Sequence, residues 1–120
     1  MLKQITYREF LGILKRNKFD FEYLFGQIDR FPQGLMVYYA LDNNIGLLIG
    51  SEMENVFTIY RLEINKRFRR RGYGTKLLKK LFIKKSNMKF IVTYLDDAAK
   101  LFYQSVGFKE GIGNWHQMQR

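Results

Sequence analysis

The chain has no cysteine, a single histidine and no acidic residue between Asn65 and Leu95. The first absence excludes disulfides, thiolate metal sites and a cysteine nucleophile. The second leaves His116 unable to build a zinc site by itself. No apolar run approaches the roughly 20 residues of a membrane span. The N-terminus lacks the apolar core and cleavage site of a secretory signal. Together these absences predict a soluble, cytoplasmic protein without a metal. Repeats, linkers and low-complexity segments are missing as well, so 120 residues, 47% of them apolar, predict one domain over 1–120.

The third absence has a positive counterpart. Eleven Lys and Arg stand between 65 and 95, whereas the rest of the chain carries ten bases against eleven acids. The whole net charge of +10 therefore belongs to one stretch. A polyanionic ligand accounts for part of it, and a nucleic acid would account for more. Lys76, Lys80 and Lys84, one helical turn apart, also read as a plain solvated face.

Thr6-Tyr7-Arg8-Glu9 fits a capping box and predicts a helix over about 7–17. A second helix is expected over about 20–28, then a turn at Phe31-Pro32-Gln33-Gly34. Leu35–Leu41, Ile45–Met53 and Val56–Ile64 read as an antiparallel meander, with turns at Asp42-Asn43-Asn44 and Glu54-Asn55. A helix over about 73–86 and a strand over about 89–94 follow. Asp96-Asp97 can cap a short helix from Ala98 to Val106, which Gly107 ends. Phe108–Glu110 and Trp115–Gln119 read as a terminal hairpin around Gly111–Asn114. The strand–helix–strand unit over 56–94 requires parallel strands. The fold class is α/β (α+β): a mixed, mostly antiparallel sheet of about six strands with helices on both faces.

Chemistry concentrates at Arg69-Arg70-Arg71-Gly72-Tyr73-Gly74-Thr75, between a strand and a helix. Glycines there allow a tight turn and close backbone approach. The following helix aims free N–H groups and its positive dipole end at the same point. This is a phosphate-binding device, and a nucleotide-like diphosphate is its natural cargo. It is not a Walker loop, because Gly74-Thr75-Lys76 has Thr and Lys in the wrong order. It is not a dinucleotide fingerprint either, because the third glycine is absent.

Some thirty residues downstream stands Ala98-Ala99-Lys100-Leu101-Phe102-Tyr103-Gln104-Ser105-Val106-Gly107-Phe108. With the Arg-x-x-Gly-x-Gly loop, this segment resembles the GNAT superfamily of acetyl-CoA-dependent N-acetyltransferases over about residues 56–110. The resemblance implies roles at matching positions. The backbone of Arg69, Arg70, Arg71, Gly72, Tyr73, Gly74 and Thr75 would cradle the coenzyme A pyrophosphate, and Arg67, Arg69, Arg70 or Arg71 would reach the ribose phosphate. The backbone around Leu62 to Ile64 would pair with the pantetheine arm like an added strand, with an amide there polarising the thioester carbonyl. Asp96 stands where the family often has an asparagine on the arm. Tyr103 aligns with the general acid: transfer to an amine expels a thiolate, which a phenol within reach can protonate.

The resemblance implies a primary amine as acceptor but not which one. The family's frequent glutamate positions fall on Thr58 and Ile91, so neither supplies a carboxylate base. Period-2 alternation puts Glu63 on the face opposite Thr58, Tyr60 and Leu62, where it reads as a surface partner of Arg61 or Arg67. His116 reads as structural, and Tyr38, Tyr39, Tyr60 and Tyr94 as core or sheet surface rather than an acceptor pocket. Some GNAT toxins acetylate aminoacyl-tRNA; they are basic and lack the glutamate, which keeps tRNA open as a partner. The other alternative is a module that binds acetyl-CoA without turnover. Members of the family are often homodimers.

Overall fold

The computed structural model describes residues 1–16, 36–94, 96–110 and 117–120. The expected second helix, the Phe31–Gly34 turn, Leu35, the Gly111–Asn114 turn, Trp115 and His116 lie outside them.

Strand β1 (Leu2–Ile5) opens the chain. It was not legible as a strand: Lys3 and Gln4 separate two apolar residues, which breaks the alternation that marks a half-buried strand. Helix α1 (Tyr7–Arg16) begins at the expected capping box. The Glu9 amide donates to Thr6 Oγ1 at 3.1 Å, and the Thr6 amide donates to Glu9 Oε1 at 3.0 Å. The bond from the Thr6 amide, and after it the Thr6 hydroxyl, holds the Glu9 carboxyl below its ordinary pKa.

Strands β2 (Met36–Leu41), β3 (Gly46–Met53) and β4 (Val56–Ile64) form the meander. Helix α2 (Tyr73–Lys84), strand β5 (Lys89–Thr93), helix α3 (Asp97–Ser105) and strand β6 (Gln117–Gln119) complete the described elements. The six strands lie side by side in chain order, and only β4 and β5 run parallel. The terminal hairpin is reduced, among the described residues, to one bridge between Lys109 and Gln119, while the other edge of β6 pairs with β5.

The sheet buries both faces. On one side Leu48, Phe57, Ile59 and Val92 pack with Leu77, Leu78 and Leu81 of α2 and Tyr103 of α3. On the other, Tyr38, Ala40, Leu47 and Ile49 pack with Phe10, Ile13 and Leu14 of α1. No helix among the described residues is long and apolar enough to cross a membrane.

One irregularity positions the site. Ile49 pairs with Arg61 and Gly50 with Ile59, which leaves Tyr60 as an extra residue in β4. A bulge of this kind lets one strand change face relative to its partner. Phe57 and Ile59 face the α2 side, and so does Leu62. Arg61 and Glu63 sit opposite Ile49 and Leu47, on the α1 side, together with Thr58 opposite Ser51. The expectation that Glu63 faces away from Thr58 is therefore corrected, and the cause is the one inserted residue.

Candidate active site

Strand β4 is flanked unequally along its length. Its pairing with β5 covers Val56 to Ile59 and ends there, while its pairing with β3 continues to Ile64. The Asn65 amide bonds Ile45 O at 2.7 Å. Alternation in an antiparallel ladder then makes Leu47–Glu63 a hydrogen-bonded pair and turns the N–H and C=O of Leu62 and Ile64 away from β3. They face the gap that β5 leaves. An open strand edge thus lies at the C-terminal end of β4.

The chain turns next to this edge. Asn65, 6% exposed, accepts the Arg67 amide at 3.0 Å and starts a 3₁₀ turn over Lys66–Phe68. Arg70 and Gly72 both take left-handed backbone angles, φ +64° and +79°. A Cβ at Gly72 would meet open space, so backbone angle rather than crowding selects glycine there. Gly72 is the N-cap of α2, and no side chain caps that helix. Its first-turn amides therefore remain available, with the positive end of the dipole behind them.

Gly74 has a different reason. A Cβ there would lie 3.1 Å from the Phe102 ring, so its smallness lets α2 approach α3. Phe68 braces the loop from outside: its ring meets Tyr73 edge-on at 5.9 Å, and the Arg71 guanidinium sits 5.7 Å from its centroid.

These elements enclose a cleft of about 670 Å³. Leu62, Ile64, Arg69, Arg70, Gly72, Tyr73, Gly74, Thr75 and Asp96, all expected at the coenzyme, line it. Of the expected contacts Arg67 and Arg71, the latter drawn to Phe68, do not. Asp96 spends one carboxylate oxygen on capping α3, accepting the Ala99 amide at 2.8 Å. Glu63, Phe68, Ala98 and Phe102 also line the cleft. Ala98 and Phe102 had a sequence signal, because residues four apart share a helix face. Tyr73 also lines a second cleft of about 790 Å³, between α1, β1 and the β2–β3 turn.

Tyr103, next to Phe102 on α3, is 3% exposed and lines neither cleft. The end of α3 fixes it. Gly107, φ +104°, donates to Gln104 O and Phe108 donates to Tyr103 O, each at 3.1 Å. This Schellman cap folds Phe108 back onto Tyr103, ring to ring at 5.6 Å. The Tyr-x-x-x-Gly-Phe spacing thus has a local physical cause. Thr58 and Ile91 are register partners across β4 and β5, so the two expected glutamate positions are adjacent and neither carries a carboxylate. Ser51 Oγ donates to the Tyr60 hydroxyl at 3.3 Å on the same side of the sheet. Tyr38 and Tyr39 are buried, one on each face, and Tyr60 and Tyr94 are half-buried; among the described residues none of the four lines the cleft.

Known structures share this architecture. An acetyltransferase of the GNAT family from Staphylococcus aureus superposes with a TM-score of 0.71 at 15% identity, covering 100% of this chain and 98% of that one. The ribosomal-protein-S18-alanine N-acetyltransferase from Escherichia coli gives 0.68 at 16% identity, covering 92% and 78%. A variant of the AtaT toxin, bound to the C-terminus of the antitoxin AtaR and acetyl-CoA, gives 0.66 at 17% identity, covering 100% and 91%. No curated protein matches the chain. The family model of the acetyltransferase (GNAT) domain matches residues 32–110, two thirds of the sequence and all of the described cleft: the chain belongs to the GNAT acetyltransferases.

Proposed function

We propose that this acetyltransferase moves an acetyl group from acetyl-CoA to a primary amine. One observation carries the reading: an open strand edge and an uncapped helix N-terminus meet in a single cleft. The amides of about Arg69 to Thr75 receive the pyrophosphate, with Arg70 a cation of the cleft lining that has no ion-pair partner among the described residues. Leu62 and Ile64 offer their outward backbone groups to the pantetheine arm as to an added strand, and an amide there draws electron density from the thioester carbonyl.

In the transfer, the amine nitrogen bonds to the carbonyl carbon and the carbon–sulfur bond breaks. Tyr103 hands its phenolic proton to the departing thiolate and regains one from the proton shed by the amine, through water. Its packing against Phe108 supports the role by fixing the ring. With no carboxylate at Thr58 or Ile91, the amine reacts in its neutral form. An α-amine, with a pKa of about 7.7–8.0, meets that condition more readily than a lysine at about 10.4. The acceptor-dependent rate should therefore climb with pH through the amine's own pKa and flatten above it.

The test is calorimetric titration with acetyl-CoA, comparing wild type with Ala98→Trp. Ala98 is exposed and lines the cleft, so the indole blocks it without entering the core. Micromolar binding lost in the variant is the expected result. No binding by folded wild type would overturn the reading.

A second reading makes the acceptor an aminoacyl group on tRNA. What favours it is the exposed basic run of Lys66, Arg67, Arg70, Arg71, Lys79 and Lys84 along the loop and α2, with no carboxylate at Thr58 or Ile91. It expects tRNA binding that weakens steeply with salt.

A further inference from the structure

Arg69 belongs to the loop whose backbone would hold the pyrophosphate, yet its side chain is engaged elsewhere. Its Nε donates to Ile64 O at 3.1 Å. Its Nη2 pairs with Glu63 Oε1. Ile64 O is one of the groups that β3 leaves unpaired and that face the gap beyond Ile59. Arg69 is therefore laid along the open edge of β4.

We propose that Arg69 is a placeholder for the coenzyme arm: in the free enzyme its guanidinium occupies the strand edge with which the arm pairs, and binding displaces it. The proposal rests on the acetyl-CoA reading above. An arm amide that donates to Ile64 O from within the cleft competes with the guanidinium for that oxygen. Glu63 sets where that guanidinium rests. It is 6% exposed, placed on the α1 side by the Tyr60 bulge, and a carboxylate so buried is costly unless paired. Arg69, 46% exposed, supplies the pairing charge, which holds it against the strand rather than out in solvent. Its charge is thereby already compensated. Arg70 and Arg71 have no ion-pair partner among the described residues and are the cations left for phosphate. The device also satisfies an exposed strand edge while the site is empty, and such edges otherwise invite pairing with other chains.

The two roles open to Arg69 predict different responses to a ligand that has the arm but no phosphate. S-acetyl-pantetheine is that ligand, with acetyl-CoA beside it, each titrated against amide chemical shifts. Arg69→Met alone removes a charged partner of the buried Glu63, so the informative variant is Arg69→Met with Glu63→Gln, its fold checked by urea unfolding. A placeholder predicts that the double variant binds S-acetyl-pantetheine about tenfold more tightly than wild type. Glu63→Gln alone should shift it the same way by less. A phosphate ligand predicts no change with S-acetyl-pantetheine and weaker acetyl-CoA. A purely structural staple predicts loss of both. Either of those patterns overturns the placeholder while leaving the acetyl-CoA reading standing. A wild type that binds neither ligand overturns both together.

Discussion

Strand β4 is two strands in one. From Val56 to Ile59 it is paired on both sides, and its inward residues are apolar: Phe57 and Ile59 are fully buried, with Phe57 against Tyr39 and Phe90. From Tyr60 to Ile64 it is paired on one side only, and its buried residues Arg61 and Glu63 are ionisable. The first half needs nothing further, because its backbone is satisfied and its side chains are packed. The second half leaves one backbone edge without a strand partner, and the cleft opens there. Burial alternates without a break along the whole strand even though the buried face changes at Tyr60. The packed stretch and the open edge thus meet at one extra residue of a single strand.

The largest expected effect comes from breaking the closed half. Phe57→Ala should cost about 4 kcal/mol of folding stability, through lost burial and an unfilled cavity. Acetyl-CoA affinity of the fraction that stays folded should be unchanged. Urea unfolding and calorimetry on the same sample check both halves of that statement, and a comparable loss of affinity would show that the two halves are not separable.

Much of the fold was legible in the sequence, for local reasons. The capping box at Thr6, the glycine at Gly72 and the Gly107-Phe108 ending of α3 each depend on residues within one or two turns, so their spacing reveals them. The cleft was legible for the same reason: its loop is contiguous in the chain. Strand β1 was not, because Leu2 and Ile5 pack on opposite faces of the sheet and leave no alternating signature. Neither was the bulge. It exists only as a mismatch of register between β3 and β4, and no residue type marks it. The Arg69–Glu63 pairing was hidden behind it, since Glu63 reaches the α1 side only once Tyr60 has been inserted.

In the open half, the next effect down is chemical. Tyr103→Phe should lower kcat about 100-fold, the low end for general acid catalysis and suited to a thiolate that already leaves well. Stability and acetyl-CoA affinity should hardly move, because the ring and its contact with Phe108 survive. An unchanged kcat would remove Tyr103 from the proton transfer. Smaller again is Arg70→Ala, expected to weaken acetyl-CoA binding about tenfold at low salt and less at high salt. Arg71→Ala should matter less still, because its guanidinium rests over Phe68 outside the cleft lining. Calorimetry at two salt concentrations ranks them, and the reverse order would mean that Arg71 leaves Phe68 when the coenzyme binds.

The smallest effect sharpens the comparison from the closed half. Glu52 stands opposite Phe57, pairs with Lys85 at 3.0 Å and accepts from the Tyr39 hydroxyl at 3.5 Å. The bond to Glu52 raises the pKa of Lys85, and burial chiefly raises those of Tyr39 and, on the other face, Tyr38. All three groups hold their protons more tightly folded than unfolded. The unfolded chain therefore loses its protons first, from about pH 10. Above that the folded state binds more protons, and stability falls as pH rises toward the folded values. Below the unfolded values the contribution is fully present, so pH 8 is a safe reference. The urea midpoint should drop between pH 8 and about pH 10.5. Glu52→Gln should make that drop shallower, by removing the cause at Lys85 and a lesser one at Tyr39 while leaving the burial of both tyrosines in place. Acetyl-CoA affinity at pH 8 should not change, since Glu52 lines neither cleft. A change in affinity with Glu52→Gln would mean that the two halves of β4 communicate through the sheet.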